Sequence, residues 1–318
     1  MKNKIFCTLG PSSLNRDFLK FTNKKVDLLR LNMSHIDIKD LQKNINFVKR
    51  FSSVPICIDT EGAQIRSKVR KKKFCKKGSY LRLFKKHKSY FSLYPPSIFE
   101  KIKIKDILDI GFEGLKIQIL QKNKENCKTK VIKSGKLENN KGIFISNRKI
   151  KLEYLTNKDK IALQIGKKNQ IKNYALSFVN NVQDIKNFNR ILGKENKIFK
   201  LETKSAMRNL ESILKEGKNF LIDRGDLSKE IGIENIPVAQ RKILKLASIK
   251  KKDVYIATNF LESMVKKNFP TRAEVNDIFN ALELGSKGIV LAAETAIGKY
   301  PKDCIYLLKK IFRSFKKI

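Results

Sequence analysis

The chain has 318 residues, 41% of them hydrophobic, which is enough to bury a large core in one big domain or two moderate ones. Seventy Lys and Arg against 30 Asp and Glu give a net charge of +40, yet only 13 of the 70 are arginine, so the excess reads as lysine drift and no specific nucleic-acid surface is expected. Five cysteines without a CxxC pair and only two histidines, His35 and His87, argue against zinc and histidine metal centres and leave carboxylates as the metal ligands, which favours Mg²⁺ or Mn²⁺.

β-prone apolar runs predict strands at 4–9, 28–33, 56–60, 174–178, 197–202, 220–224, 253–258 and 288–292, with amphipathic helical stretches between them. The start, MKNKIFCTLGPSS, turns polar before a signal-peptide core forms. No apolar run approaches the roughly 18 residues of a membrane-spanning helix. A cytoplasmic protein that does not engage membranes is expected, with weak attraction to polyanions at low salt.

About 110 residues separate the third strand from the fourth, where other gaps are near 20 or 30. Within them, residues 68–153 alternate like short antiparallel strands, as in SYLRLF, GLKIQIL, KTKVIKSG and KGIFIS. They carry 25 basic and 7 acidic residues. An inserted small all-β domain is expected there. The remaining segments, 1–67 and 154–318, hold eight βα units, close to the ~250 residues of a closed (β/α)₈ TIM barrel. An open doubly wound sheet is the plainer alternative.

In such a barrel the C-terminal strand ends carry the chemistry, and the polar interruptions of this sequence fall at that end. Arg30, Asn32 and Ser34 alternate with Leu31 and Met33, which places the three polar groups on one face, followed by His35. Strand three ends in Asp59 and Thr60, and strand five carries Lys200 and Glu202 on one face. Strand six runs into DRGD at 223–226, strand seven stops at Thr258, and Glu294 follows strand eight. Each has a structural reading: an ion pair for Lys200–Glu202, a helix cap for Asn32 and Ser34, a turn for Asp59–Thr60. Their convergence on one rim favours chemistry. Glu202 and Asp226 make an oxygen-only half-shell for Mg²⁺, and Lys200 and Arg30 add two cations, the equipment of phosphoryl transfer. Neither GxxxxGK[ST] nor GxGxxG occurs, so a nucleotide is not held by a Walker or protein-kinase loop.

These residues resemble the pyruvate kinase family. The resemblance runs through KIFCTLGPSS, LLRLNMSH, IDTEGAQIR, LTNKDKIAL, ALSFVNNVQDI, FKLET, DRGDLSKEIG, ATNFLESM, PTRAEVNDIFNAL and AAETAIGKYP, in family order, to about residue 301. FEGLKIQI and KGIFIS match more loosely in the insert. It implies a barrel with a mobile β lid, transferring phosphate from phosphoenolpyruvate to ADP with Mg²⁺ and K⁺, and so yielding pyruvate and ATP in glycolysis. On that resemblance Lys200 stabilises the transferring phosphoryl group, Glu202 and Asp226 hold Mg²⁺, Gly225 offers a backbone N–H beside them, and Arg30 holds the phosphate. Thr258 matches the residue near the enolate carbon that is protonated. Asn32, Ser34, Asp59 and Thr60 match the K⁺ ligands, and Asn32, His35, Arg66 and Lys158 match positions on the nucleotide side.

The sequence also departs from the family. The usual C-terminal effector domain has no counterpart by residue 318, so control through it is not expected, and a monomer or a homodimer through the barrel is expected over a tetramer. Asp223 stands where the family has a small residue; unpaired at ~4–6 Å, it would cost a bound phosphate on the order of a few kcal/mol. Gln64 replaces the residue that accompanies K⁺ dependence or independence. Glu61 and Ala63 replace a lysine and a proline, Ile36 a glycine, Asn180 an arginine, and Ala292–Ala293 a Ser-Gly pair. Two other functions fit the sequence: a paralogue using Mg²⁺–enolate chemistry on another acceptor or substrate, and a noncatalytic basic protein whose insert binds polyanions.

Overall fold

Eight short runs form the parallel strands β1 (Lys4–Thr8), β2 (Leu28–Asn32), β3 (Ile56–Asp59), β4 (Asn173–Leu176), β5 (Asn196–Leu201), β6 (Asn219–Asp223), β7 (Asp253–Ala257) and β8 (Gly288–Leu291) in the computed structural model. They close in the order β1-β8-β7-β6-β5-β4-β3-β2, each paired in parallel with its sequence neighbour. The structure describes residues 3–62, 64–86, 90–111, 114–148, 150 and 152–317; Ala63 and His87 lie outside the described residues. The chain divides into two compact units, residues 1–62 with 157–318, and residues 63–156.

The barrel strands are buried on both faces, which is why they read as nearly unbroken apolar runs. The sequence carries each strand one or two residues too far at its C-terminal end. The backbone there has left the extended region, with φ of 54° at Phe178 and 75° at Thr258. Helices cover the outside with an apolar stripe. Ile38–Phe51, capped by Asp37, buries Leu41, Ile45 and Val48, and Pro301–Phe315 buries Cys304, Ile305, Leu308, Ile311 and Phe312. Gly166, on the helix Asn157–Lys168, brings that helix against β3 and β4, since a Cβ there would lie 2.6 Å from Ile58 and 2.7 Å from the Tyr174 hydroxyl.

Inside the barrel the side chains form layers. One is apolar: Phe6, Leu28, Cys57, Ala175, Ile198, Leu221, Tyr255 and Val290 pack as one cluster. Period two along each strand then dictates the next layer toward the C-terminal rim: Thr8, Arg30, Asp59, Ser177, Lys200, Asp223, Ala257 and Ala292. Six of those eight are charged or hydroxylated and buried together, and that second layer is where the barrel stops being only a core.

The second unit is all-β. Seven strands close in the order Asn126–Lys133, Tyr80–Phe84, Phe91–Tyr94, Ile65–Val69, Gly142–Ile145, Ile107–Ile110 and Leu115–Lys122, and a two-stranded sheet joins Lys73–Cys75 to Gly135–Leu137. It has its own core, including Leu83, Phe91, Phe99, Leu108, Ile117, Ile119 and Val131. Its first strand, Ile65–Val69, begins before residue 68 because Arg66 pairs with Tyr94 and Gly142, both distant in sequence. Arg66 and Gln64 therefore belong to this unit rather than to the barrel segment.

Candidate active site

Lys200 is the centre of the polar layer. Strand β5 carries it two residues past the inward Ile198, and it is 4% exposed. Its Nζ lies 3.1 Å from Glu202 Oε2, 3.2 Å from Asp223 Oδ2 and 3.7 Å from Asp59 Oδ2, and donates to Ser177 Oγ at 3.2 Å. Burial alone would depress such an ammonium, but Asp59, Glu202 and Asp223 outweigh it and hold the Lys200 pKa above its ordinary value. The lysine is a fixed cation at neutral pH.

Arg30 stands beside it on β2. Its Nη1 donates to Thr8 Oγ1 at 3.0 Å, and its Nε and Nη2 meet Asp59 Oδ2. Ser177 closes the cluster from β4: its Oγ is within donating distance of Asp59 Oδ1, at 3.1 Å, and of the Thr60 carbonyl, at 2.7 Å. Its N–H donates to Thr60 Oγ1 at 3.0 Å.

Glu202 and Asp226 come together as the sequence reading requires, and Asp223 joins them. One oxygen from each of the three lies within 4.8 Å of the others. Glu202 is fully buried; its Oε1 accepts from the Phe178 N–H at 2.7 Å, while Oε2 has no hydrogen-bond partner, the Lys200 ammonium lying close but outside hydrogen-bonding geometry. Burial pushes the Glu202 carboxyl up to about 8; Lys200 offsets part of that shift, and Asp223, Asp226 and Asp59 add to it. Asp223 goes the other way. Burial would raise it, but Lys200, Arg30 and the Asp226 backbone N–H hold it below the ordinary carboxylate range. A buried oxygen that faces Lys200 yet accepts no hydrogen bond from any described residue, set among hard oxygen donors, fits a Mg²⁺ or Mn²⁺ ion.

After β6 the helix Arg224–Ile231 starts at this cluster. Gly225 N–H donates to Thr258 Oγ1 at 2.9 Å, and the Thr258 hydroxyl donates to the Ala257 carbonyl at 2.6 Å. Thr258 is held at φ 75°, a conformation that costs a β-branched residue on the order of 1–3 kcal/mol. Arg224 secures it by donating Nε and Nη2 to the Thr258 carbonyl at 3.1 and 2.6 Å, while its Nη1 pairs with Asp277 at 2.7 Å.

A second corner forms at the ends of β2 and β3, where Asn32 is the register partner of Asp59. Asn32 Oδ1 accepts from the Ser34 N–H at 3.0 Å, and Thr60 is buried beside Asp59. His35 is exposed on the following turn. Lys158 reaches back to this turn, donating to the Met33 carbonyl, and pairs with Glu61 Oε2 at 3.4 Å. Asp159, on the same helix, accepts from the N–H groups of Glu61 and Gly62 at 2.8 and 3.2 Å, which fixes that loop. Arg66 lies in the second unit, on Ile65–Val69.

Glu294 has a structural role: it is 1% exposed and accepts the N–H groups of Leu261 at 3.2 Å and Ala292 at 2.7 Å. Two members of the site were not in the expected set. Ser177 is two residues past the inward Ala175, and Asp223 two past the inward Leu221; that offset, applied to every strand, would have found both.

Residues 1–305 match the family model described as pyruvate kinase, barrel domain. The chain is 32% identical over 330 residues to the pyruvate kinase of Thermotoga maritima, a match covering 99% of this chain and 71% of that protein. It is 32% identical over 326 residues to plastidial pyruvate kinase 3 of Arabidopsis thaliana, covering 98% and 57%, and 29% identical over 328 residues to the pyruvate kinase of Staphylococcus epidermidis, covering 98% and 56%. It thus spans little more than half the length of the last two relatives. A likeness that runs from the first barrel strand into the last barrel helix makes this chain a member of the pyruvate kinase family of phosphotransferases.

Proposed function

We propose that the chain transfers a phosphoryl group from phosphoenolpyruvate to ADP, giving pyruvate and ATP, with Mg²⁺ or Mn²⁺ and K⁺. The observation that carries this reading is Lys200: a 4% exposed ammonium within 3.7 Å of three carboxylates is already charged, immobile and stripped of water. Phosphoryl transfer needs positioned positive charge more than covalent chemistry. Lys200 meets the migrating group, and Arg30, anchored by Thr8 and Asp59, holds the phosphate oxygens. A substrate at this rim takes over the Gly225 N–H that otherwise donates to Thr258, which frees the Thr258 hydroxyl beside the carbon that gains a proton.

Glu202 and Asp226 would hold the divalent ion, which when bound supplies positive charge against the phosphate oxygens. Asn32, Ser34, Asp59 and Thr60 would hold the monovalent ion; they are oxygen donors at two adjacent strand ends, and the Asp59 carboxylate keeps lone pairs beyond those given to Arg30 and Ser177. Asn32, His35 and Lys158 share the corner we assign to the nucleotide. We place the protein in the cytoplasm; its five cysteines are buried and free, which suits a reducing compartment, and no helix among the described residues is long and apolar enough to cross a membrane.

The test is pyruvate formation from phosphoenolpyruvate, ADP and Mg²⁺, coupled to pyruvate reduction and run with and without K⁺. Turnover that collapses in Glu202→Gln supports the reading; background rates indifferent to that change reject it. A second reading, the same chemistry with another acceptor, draws on Glu61, which neutralises Lys158 on the nucleotide side. Phosphoenolpyruvate-dependent transfer to a screened acceptor, at a rate above that with ADP, would select it.

A further inference from the structure

We propose that Asp223 is the third carboxylate ligand of the divalent cation, so that this barrel binds the ion without substrate and shows the incoming phosphate one positive charge fewer than Glu202 and Asp226 alone would. The proposal rests on the reading that Glu202 and Asp226 hold the ion. Asp223 ends β6 two residues after the inward Leu221 and enters the lumen beside Glu202, which follows the neighbouring β5. One oxygen from each of Glu202, Asp223 and Asp226 lies within 4.8 Å of the others. Six-coordinate Mg²⁺ or Mn²⁺, with bonds of about 2.1 Å, sets adjacent ligand oxygens about 3 Å apart, so movements of up to about 1 Å gather all three.

A second observation points to a ligand at that place. Glu202 Oε2 is buried, faces the Lys200 ammonium at 3.1 Å and accepts no hydrogen bond from any described residue. Charge agrees. With Glu202 ionised, as a metal ligand is, Arg30, Lys200 and Lys229 face Asp59, Glu202, Asp223 and Asp226, an excess of one negative charge. A divalent ion turns that into a surplus of one positive charge; with a neutral residue at 223 the surplus would be two.

The experiment is a Mn²⁺ titration of the full chain without substrate, followed by electron paramagnetic resonance, with the water ligands on bound Mn²⁺ counted by pulsed measurements in labelled water. Three protein oxygens leave about three waters on a six-coordinate ion. Asp223→Ala should weaken Mn²⁺ binding at least ~10-fold, the equivalent of 1.4 kcal/mol, and add one water; Asp223→Asn, which keeps an oxygen, should retain the wild-type count. An unchanged water count in Asp223→Ala overturns the proposal even if affinity falls, because a distant charge alters affinity without altering coordination. Unchanged affinity overturns it as well. Glu202→Gln separates the two claims: if it weakens Mn²⁺ binding while Asp223→Ala does not, the ion site stands and only the third ligand falls.

Discussion

Replacing Lys200 by methionine removes the ammonium while nearly keeping the volume. At an effective dielectric of ~20, a unit charge 3.1–3.7 Å from each of three carboxylates gains about 4–5 kcal/mol per contact. Desolvation of the buried groups cancels most of that sum, and losing one partner of such a cluster costs about 3–5 kcal/mol of stability. Asp59 and Asp223 would be left to Arg30 and Glu202 would lose the ammonium at 3.1 Å, so Lys200→Met should lower the urea midpoint of the barrel and Mg²⁺ should restore part of the loss. Turnover should fall by about 10³-fold or more, the scale at which a positioned cation acts on a transferring phosphoryl group. Chemical denaturation with and without Mg²⁺, beside the coupled assay, reads both effects. A variant as stable as the wild type and equally active would refute the view that Lys200 is a buried, charged hub.

Gly217→Ala would set a Cβ 2.4 Å from Phe220 Cζ and 2.8 Å from Phe199 Cδ2, two buried rings that pack on each other, so we expect a loss of about 1–3 kcal/mol by urea unfolding. Glu274 is held below its ordinary 4.5: burial would raise it, but the Ser263 hydroxyl and N–H and the Thr271 N–H and hydroxyl outweigh that. A depressed carboxylate adds stability that is full above the unfolded pKa and is lost as pH falls through the folded one. Glu274→Gln should therefore cost about 1–2 kcal/mol at pH 7 and progressively less in unfolding series carried below pH 4.5. Glu61→Gln frees Lys158 from its partner at 3.4 Å. On the proposed function the KM for ADP should drop about five-fold, the equivalent of ~1 kcal/mol, with that for phosphoenolpyruvate unchanged; an unmoved KM for ADP takes Lys158 off the nucleotide side.

Sequence periodicity sufficed for the barrel because its information is local. Each strand is a short apolar run, and Lys200 and Glu202 share a face whatever the neighbours do. What depends on register between strands was harder to read. Asp223 looked like a stray charge because only the pairing of Lys200 with Leu221 and of Leu201 with Ile222 brings it beside Glu202. Ser177 passed for an ordinary member of the predicted strand 174–178, since its partners Asp59 and Thr60 are more than a hundred residues away. Glu294 was grouped with the chemistry for its position after a strand, yet its oxygens are committed to backbone N–H groups that a sequence does not reveal. Arg66 followed the same logic: alternation became obvious only from residue 68, while non-local pairing decides where the second unit begins.

The central claim is that Glu202 and Asp226 share one divalent ion beside the Lys200 ammonium. A crystal grown with Mn²⁺ and oxalate tests it most directly. Anomalous density within about 2.2 Å of an oxygen from each carboxylate, with Lys200 Nζ in hydrogen-bonding range of the bound oxalate, is the predicted result. Density absent from that rim at saturating Mn²⁺, with the two carboxylates turned apart, would contradict it.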